Sequence, residues 1–297
     1  MKLKILFAIM LTMIPTLAFS PTGHVQIANE FFDNYPNNLI AMECRNYKRE
    51  FIAGSIFPDI TVFYYFTEGG KNYLATHNWN YQQRVMIQAV TPAERCFAHG
   101  ISSHLIADAT VHNGFIADEI ADKLIPNIPL HPLLEAQDEL YLQRVDRINV
   151  NIMIHSLDVM FENDRLMQIS QNALGQETPL DVRKQTRDLT GALGNFYNSA
   201  YVNPNPDVLY SIYRNLANTI EINPQGMIDS RQQAVINHNR IFTNFNERFK
   251  CEQAFCPAEP HGFNRLNNAE ASAALVRVLA VIVIIAIAII ILSKRKK

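Results

Sequence analysis

Three residues in the run Cys96-Phe-Ala-His-Gly-Ile-Ser-Ser-His104-Leu-Ile-Ala-Asp108-Ala-Thr-Val-His112 have the types and spacing of metal ligands. His104, Asp108 and His112 stand four residues apart in succession. A helix turns ~100° per residue, so each is offset by only ~40° from the last and all three share one face. Imidazole nitrogens and carboxylate oxygens are ordinary zinc ligands, and a carboxylate can also bridge two ions. His131-Pro-Leu-Leu-Glu135 repeats the i, i+4 spacing, with Asp138 about one turn further on. Two helices that each present ligands inward are how helical bundles build multi-metal sites. Asp59 in Ala53-Gly-Ser-Ile-Phe-Pro58-Asp59, His77 in Thr76-His77-Asn78-Trp79 and His24 in Thr22-Gly23-His24 come from separate segments. A lone histidine on an amphipathic helix is usually structural. Here five of the nine histidines and three carboxylates fall in four clusters between His24 and Glu135, which points to a metal site. His99, His155, His238 and His261 have no such company and read as structural.

The elements that must position these ligands read as helices. Val25, Ile27, Ala28, Phe31 and Phe32 recur at helical spacing, as do Phe97, Ile101, Leu105 and Ala109, and Leu133, Leu134, Leu140, Val145 and Ile148. Further candidates cover Asn149–Ile169, Val182–Tyr201, Pro206–Ile222 and Ser230–Phe249, with Pro206-Asp207 and Asp229-Ser230 as start signals. Asn223-Pro224 reads as loop, like the Pro- and Asn-rich stretches near Tyr35 and Asn203. Sustained period-2 alternation is scarce, so no chain of βαβ units is expected. The fold class expected is all-α: one multi-helix domain over residues 19–264, a linker over 265–272, then one C-terminal transmembrane helix.

Both ends carry targeting patterns. Lys2 and Lys4 precede the apolar stretch Ile5–Ile14, and Thr16-Leu17-Ala18 offers a cleavage site. This predicts a signal peptide over residues 1–18, too short in its apolar part for a membrane span of ~20 residues. Residues 273–292 form an apolar run broken only by Arg277, long enough to cross a bilayer. Lys294, Arg295, Lys296 and Lys297 follow, and positive charge stays on the cytoplasmic side. The expectation is a single-pass cell-membrane protein with its body outside and a basic tail, 293–297, inside.

The 297 residues are 48 % hydrophobic and 18 % charged, which excludes a disordered chain. Net charge is −2 for the whole chain, but residues 19–272 hold 19 basic against 28 acidic residues, or −9. An acidic body does not attract nucleic acid nonspecifically. Cys44, Cys96, Cys251 and Cys256 allow three pairings. Disulfides are favoured over free thiols in an exported domain. Cys251 and Cys256 are close enough to close a small loop, which leaves Cys44 with Cys96. No C-x-x-C is present, so a cysteine zinc site is disfavoured.

The ordered motifs resemble the zinc-dependent phospholipase C family. They are Phe19-Ser-Pro-Thr-Gly-His24, Ala53-Gly-Ser-Ile-Phe-Pro-Asp59, His77, Gly100-Ile-Ser-Ser-His104-Leu-Ile-Ala-Asp108-Ala-Thr-Val-His112 and His131-x-x-x-Glu135. The family shares its helical fold with fungal single-strand nucleases. The resemblance implies up to three zinc ions. One would take Asp59, His77, His104 and Asp108. A second would take His112, His131 and Glu135. The third would take His24, Asp108 and the amino group and carbonyl of the mature first residue, Phe19, where the family usually has Trp. Asp108 would bridge two of the ions. The Asp108-to-His112 spacing resembles the branch that contains glycosylphosphatidylinositol-specific phospholipase D.

The expected function is therefore membrane-anchored, zinc-dependent phosphodiester hydrolysis, with a phospholipid as the favoured substrate. Asp108 acts as bridging ligand, and Asp59 as ligand or as the group that orients the attacking water. Zinc lowers the pKa of bound water towards ~7. The alternatives are a surface nuclease or other phosphodiesterase, and an inactive zinc-stabilised surface or adhesion domain. The aromatics between Thr61 and Phe66 could line a substrate cleft, although ordinary packing is favoured. No specific protein partner is evident.

Overall fold

The structure, a computed structural model, describes residues 21–61, 75–118, 150–175, 181–201 and 224–244. These residues are helical throughout their regular elements, and no strand occurs among them. In chain order the α-helices are α1 (Pro21–Asn34), α2 (Leu39–Cys44), α3 (Lys48–Ile56), α4 (Trp79–Gln88), α5 (Pro92–Val111), α6 (Val150–Glu162), α7 (Asp164–Leu174), α8 (Val182–Tyr201) and α9 (Pro224–Thr243). A 3₁₀ segment, Phe57–Thr61, follows α3, and a π segment, His112–Ile116, continues α5.

α5 is the central element, with α1, α3, α4 and α9 packed around it. Its start is fixed locally. Thr91 Oγ1 accepts from Glu94 N at 3.2 Å, Thr91 N donates to Glu94 Oε2 at 3.3 Å, and Pro92 occupies the first turn. This is a reciprocal capping box with proline at a position that needs no N–H. The core beside it is aromatic. Phe57 meets Phe97 edge-on at 5.2 Å between centroids, and Phe31 lies over Phe51 at 6.2 Å. Such pairs add about 0.5–1.5 kcal/mol beyond burial.

The crossing of α3 over α5 is set by two glycines. A Cβ on Gly54 would lie 2.0 Å from the Phe97 carbonyl oxygen, and one on Gly100 would lie 2.0 Å from the Phe51 carbonyl oxygen. Only glycine allows backbones to approach so closely. Cys44 and Cys96 form a disulfide that ties the end of α2 to the first turns of α5. Cys251 and Cys256 lie outside the described residues.

Two helix boundaries differ from the periodicity. The candidate Asn149–Ile169 is broken into α6 and α7 at Asn163, whose side chain accepts from Arg165 N at 3.1 Å and caps a new helix. α9 begins at Pro224, six residues before the expected Ser230. Asp229 is no cap there but accepts from Gln225 Nε2 within the helix at 2.7 Å. The candidates at Pro206–Ile222 and Leu133–Ile148 lie outside the described residues, as do the expected signal peptide, linker, membrane span and tail. Among the described residues no helix is long and apolar enough to cross a membrane.

Candidate metal centre

Four segments deliver the site. His24 stands on α1, Asp59 on the 3₁₀ segment after α3, His77 just before α4, and His104 and Asp108 one turn apart on α5. All five are buried, none more than 1 % exposed. The short runs from Gly54 to Asp59 and from Gly100 to His104 mean that the glycine crossing sets how far apart these ligands sit. Pro58 begins the turn that redirects the chain. Its carbonyl accepts from the buried Thr76 hydroxyl at 2.8 Å, which docks the His77 segment against the Asp59 segment.

The ligand atoms converge. His77 Nε2 lies 3.4 Å from Asp59 Oδ1 and 3.9 Å from Asp108 Oδ2. His104 Nε2 lies 3.1 Å from Asp108 Oδ2 and 3.9 Å from Asp59 Oδ1. Four ligands at ~2.0–2.2 Å around a tetrahedral zinc lie ~3.3–3.6 Å from one another. Two buried triads, His77 with His104 and Asp108 and His24 with Asp59 and His104, each bring three ligand atoms within 4.8 Å of one another, a spread compatible with a metal ion. Asp108 turns its other oxygen away, and Oδ1 lies 3.4 Å from His24 Nε2. One carboxylate thus faces His24 with one oxygen and His77 and His104 with the other. His24 stacks on His104 with ring centroids 3.9 Å apart.

The hydrogen bonding fits a zinc ion. Both oxygens of Asp59, both of Asp108 and Nε2 of His104 are buried without a directed hydrogen bond. Buried polar atoms left so cost about 1–3 kcal/mol each, more for charged groups. His104 Nδ1 donates instead to the Ser55 carbonyl at 2.9 Å. That bond fixes the tautomer and leaves Nε2 bare for a metal, the usual outer-sphere arrangement. Burial opposes a charge on His104, but Asp108 and Asp59 outweigh it and raise its pKa to about 9. Burial likewise opposes ionisation of Asp108, but His104 overcomes it and holds the carboxyl well below its usual range. Burial, aided by His104, lowers His24. The buried carboxylates thus favour positive charge in this pocket, which suits a bound cation.

His112 is buried at the end of α5, where its backbone N–H donates to the Asp108 carbonyl. It opens the π segment, a geometry common at functional sites. Its expected companions His131 and Glu135 lie outside the described residues, as do Phe19 and the aromatics from 62 onward. The sequence reading passed over Ser55, Thr76 and the roles of Gly54 and Gly100. The glycines were visible within the two motifs, four and five residues before ligands, but nothing in a single sequence pairs them. The Ser55 carbonyl leaves no signal in residue type.

A family model described as zinc dependent phospholipase C matches residues 23–142. No curated protein and no solved structure matches the chain. The matched stretch carries every expected ligand from His24 to Glu135, and over residues 23–142 this chain is similar to the zinc-dependent phospholipase C family.

Proposed function

We propose that the chain is a membrane-anchored, extracytoplasmic, zinc-dependent phosphodiester hydrolase that acts on phospholipids. The observation that carries this reading is the buried cluster of His24, Asp59, His77, His104 and Asp108, in which the triads His77–His104–Asp108 and His24–Asp59–His104 each bring three ligand atoms within 4.8 Å of one another. Bound zinc supplies Lewis acidity and a water ionisable near neutral pH. The residues do the rest. His77 and His104 would present ring nitrogens to the ion, and the Ser55 carbonyl keeps His104 in that orientation. Asp59 Oδ1 joins the ligand set, which leaves Oδ2 to accept a proton from the attacking water. That water adds to phosphorus as the bond to the departing alcohol oxygen breaks, and the proton released passes to that oxygen. His112 with His131 and Glu135 forms the further ligand group implied by the resemblance.

Residues 1–18 act as the signal peptide and 273–292 as the anchor, which keeps the site beside lipid. The −9 charge of the body favours a lipid over a nucleic acid as substrate. The test is zinc stoichiometry on the processed chain, then hydrolysis of a phosphatidylcholine analogue beside single-stranded DNA. Zinc-dependent lipid hydrolysis is expected, lost on chelation and restored by zinc. Cleavage of the DNA alone would replace the lipid assignment. Bound zinc with neither activity would leave a surface domain without hydrolytic chemistry.

A further inference from the structure

Behind the ligand face of α5 lies a polar contact with α9, beyond the stretch that matches the family. His238 is fully buried, and its two ring nitrogens are both engaged. Nδ1 donates to the Ala234 carbonyl at 2.6 Å on its own helix. Each ring nitrogen faces a carbonyl and a neutral ring carries one N–H, so the shorter contact, to Ala234, assigns the proton to Nδ1 and leaves Nε2 to accept. Ser103 Oγ donates to that Nε2 at 2.8 Å, and the Ser103 carbonyl lies 3.0 Å from it.

Ser103 is unusual among the hydroxyls of its helix. Ser102 Oγ donates to the Ala98 carbonyl and Thr110 Oγ1 to the Ile106 carbonyl, each four residues back on α5. Ser103 instead spends its proton across the interface. Thr110 is also claimed from α9, since Asn237 Nδ2 donates to its Oγ1 at 3.0 Å. Residues 103 and 110 are seven apart and fall on one stripe of α5, within ~20° of each other. The ligand stripe of His104, Asp108 and His112 lies ~100–180° round the same helix from Ser103. Two hydrogen bonds along one stripe, straddling His104 and Asp108, fix the rotation of α5 about its own axis.

We propose that His238 is a positioning residue of the metal centre, acting through Ser103 to hold α5 at the rotation that aims His104 and Asp108 at the ion. α9 is then part of the centre, although it contributes no ligand. Asn38 seats the far end of α9, donating to Asn239 Oδ1 at 3.0 Å and Thr243 Oγ1 at 3.3 Å while capping α2. This inference rests on the zinc site proposed above.

The test measures zinc affinity by chelator competition on the full chain as its cell processes it, beside the unfolding midpoint of the metal-free protein. Ser103→Ala removes one hydroxyl and nothing else. His238→Phe keeps a ring but loses both hydrogen bonds. Outer-sphere partners typically govern 10–100-fold in metal affinity, and a loss of about that size is expected in both variants. The double variant should be no weaker than the worse single one, since both act through one bond. His238→Gln, which keeps an amide within reach of Ser103, should restore most of the affinity. A zinc affinity unchanged in Ser103→Ala and His238→Phe, with only the metal-free midpoint lowered, would overturn the positioning role and leave the zinc site standing. A natural chain that binds no zinc would overturn both.

Discussion

Asp108→Ala removes one carboxylate oxygen from beside His24 and the other from beside His77 and His104. Zinc content and hydrolysis should fall together, with affinity down by more than the ~10–100-fold of outer-sphere changes. Unchanged metal content in this variant would refute the bridging assignment. A second prediction concerns histidines outside the ligand set. Burial lowers His99 to about 3 and His238 to about 4, against 6.5 for an unperturbed imidazole. Their contribution is fully present above 6.5 and is lost as pH falls towards those values, because the unfolded chain takes up protons that the folded chain refuses. His104, raised to about 9, is protonated in both states below 6.5 and adds nothing to that window. The urea midpoint of the metal-free protein should therefore drop between pH 7 and pH 4.5, and His99→Gln should make the drop shallower. A flat midpoint would contradict the burial of these rings as neutral groups. At this scale the buried cluster of His24, Asp59, His77, His104 and Asp108 was legible because metal-ligand residue types stand at telling spacings. The groups that orient them were not, since Ser55 acts through its carbonyl and His238 through a partner 135 residues away.

Among the elements, α3 and α5 have the least freedom. Gly54→Ala or Gly100→Ala would force a methyl to within 2.0 Å of a backbone oxygen. The helices must separate, and overpacking of this kind costs about 1–3 kcal/mol or more. Denaturant unfolding of either variant should show that loss, together with weaker zinc binding from the displaced ligands. Thr91→Ala, by contrast, should cost about 1 kcal/mol through the lost cap and leave zinc affinity near its natural value. Helix type was readable for α5 and α8, whose apolar periodicity is long. Ends were less readable. Asn163 interrupts a periodic stretch because its amide competes for the backbone, and Pro224 opens a helix because proline needs no hydrogen-bonded N–H there.

Over the whole molecule, the Cys44–Cys96 bridge closes a loop of 52 residues' separation that encloses α3, Asp59 and His77. Chain-entropy reasoning assigns such a loop about 4 kcal/mol. Cys44→Ala with Cys96→Ala should lower the unfolding free energy by about that amount, read by urea titration, and a loss under ~1 kcal/mol would remove the bridge from the account of stability. The pairing was legible because Cys251 and Cys256 stand so near each other in sequence. The all-α class was legible as well, since strand periodicity is scarce. How α9 completes the back of the site was not, because contacts between helices so far apart in sequence leave no local trace.

The glycine crossing also acts as a pivot with arms of unequal length. His104 lies four residues from Gly100, an arm of ~6 Å, so a tilt of ~10° displaces it by only ~1 Å. His112 lies three times as far along the same rod, where the same tilt sweeps ~3 Å. Precision therefore decays along α5, from a stiff near end to a compliant far end that relaxes into the π segment. With the proposed zinc sites filled, an ion held through His112 would be the first released on warming or mild chelation, and one held nearer Gly100, through His104, the last to leave.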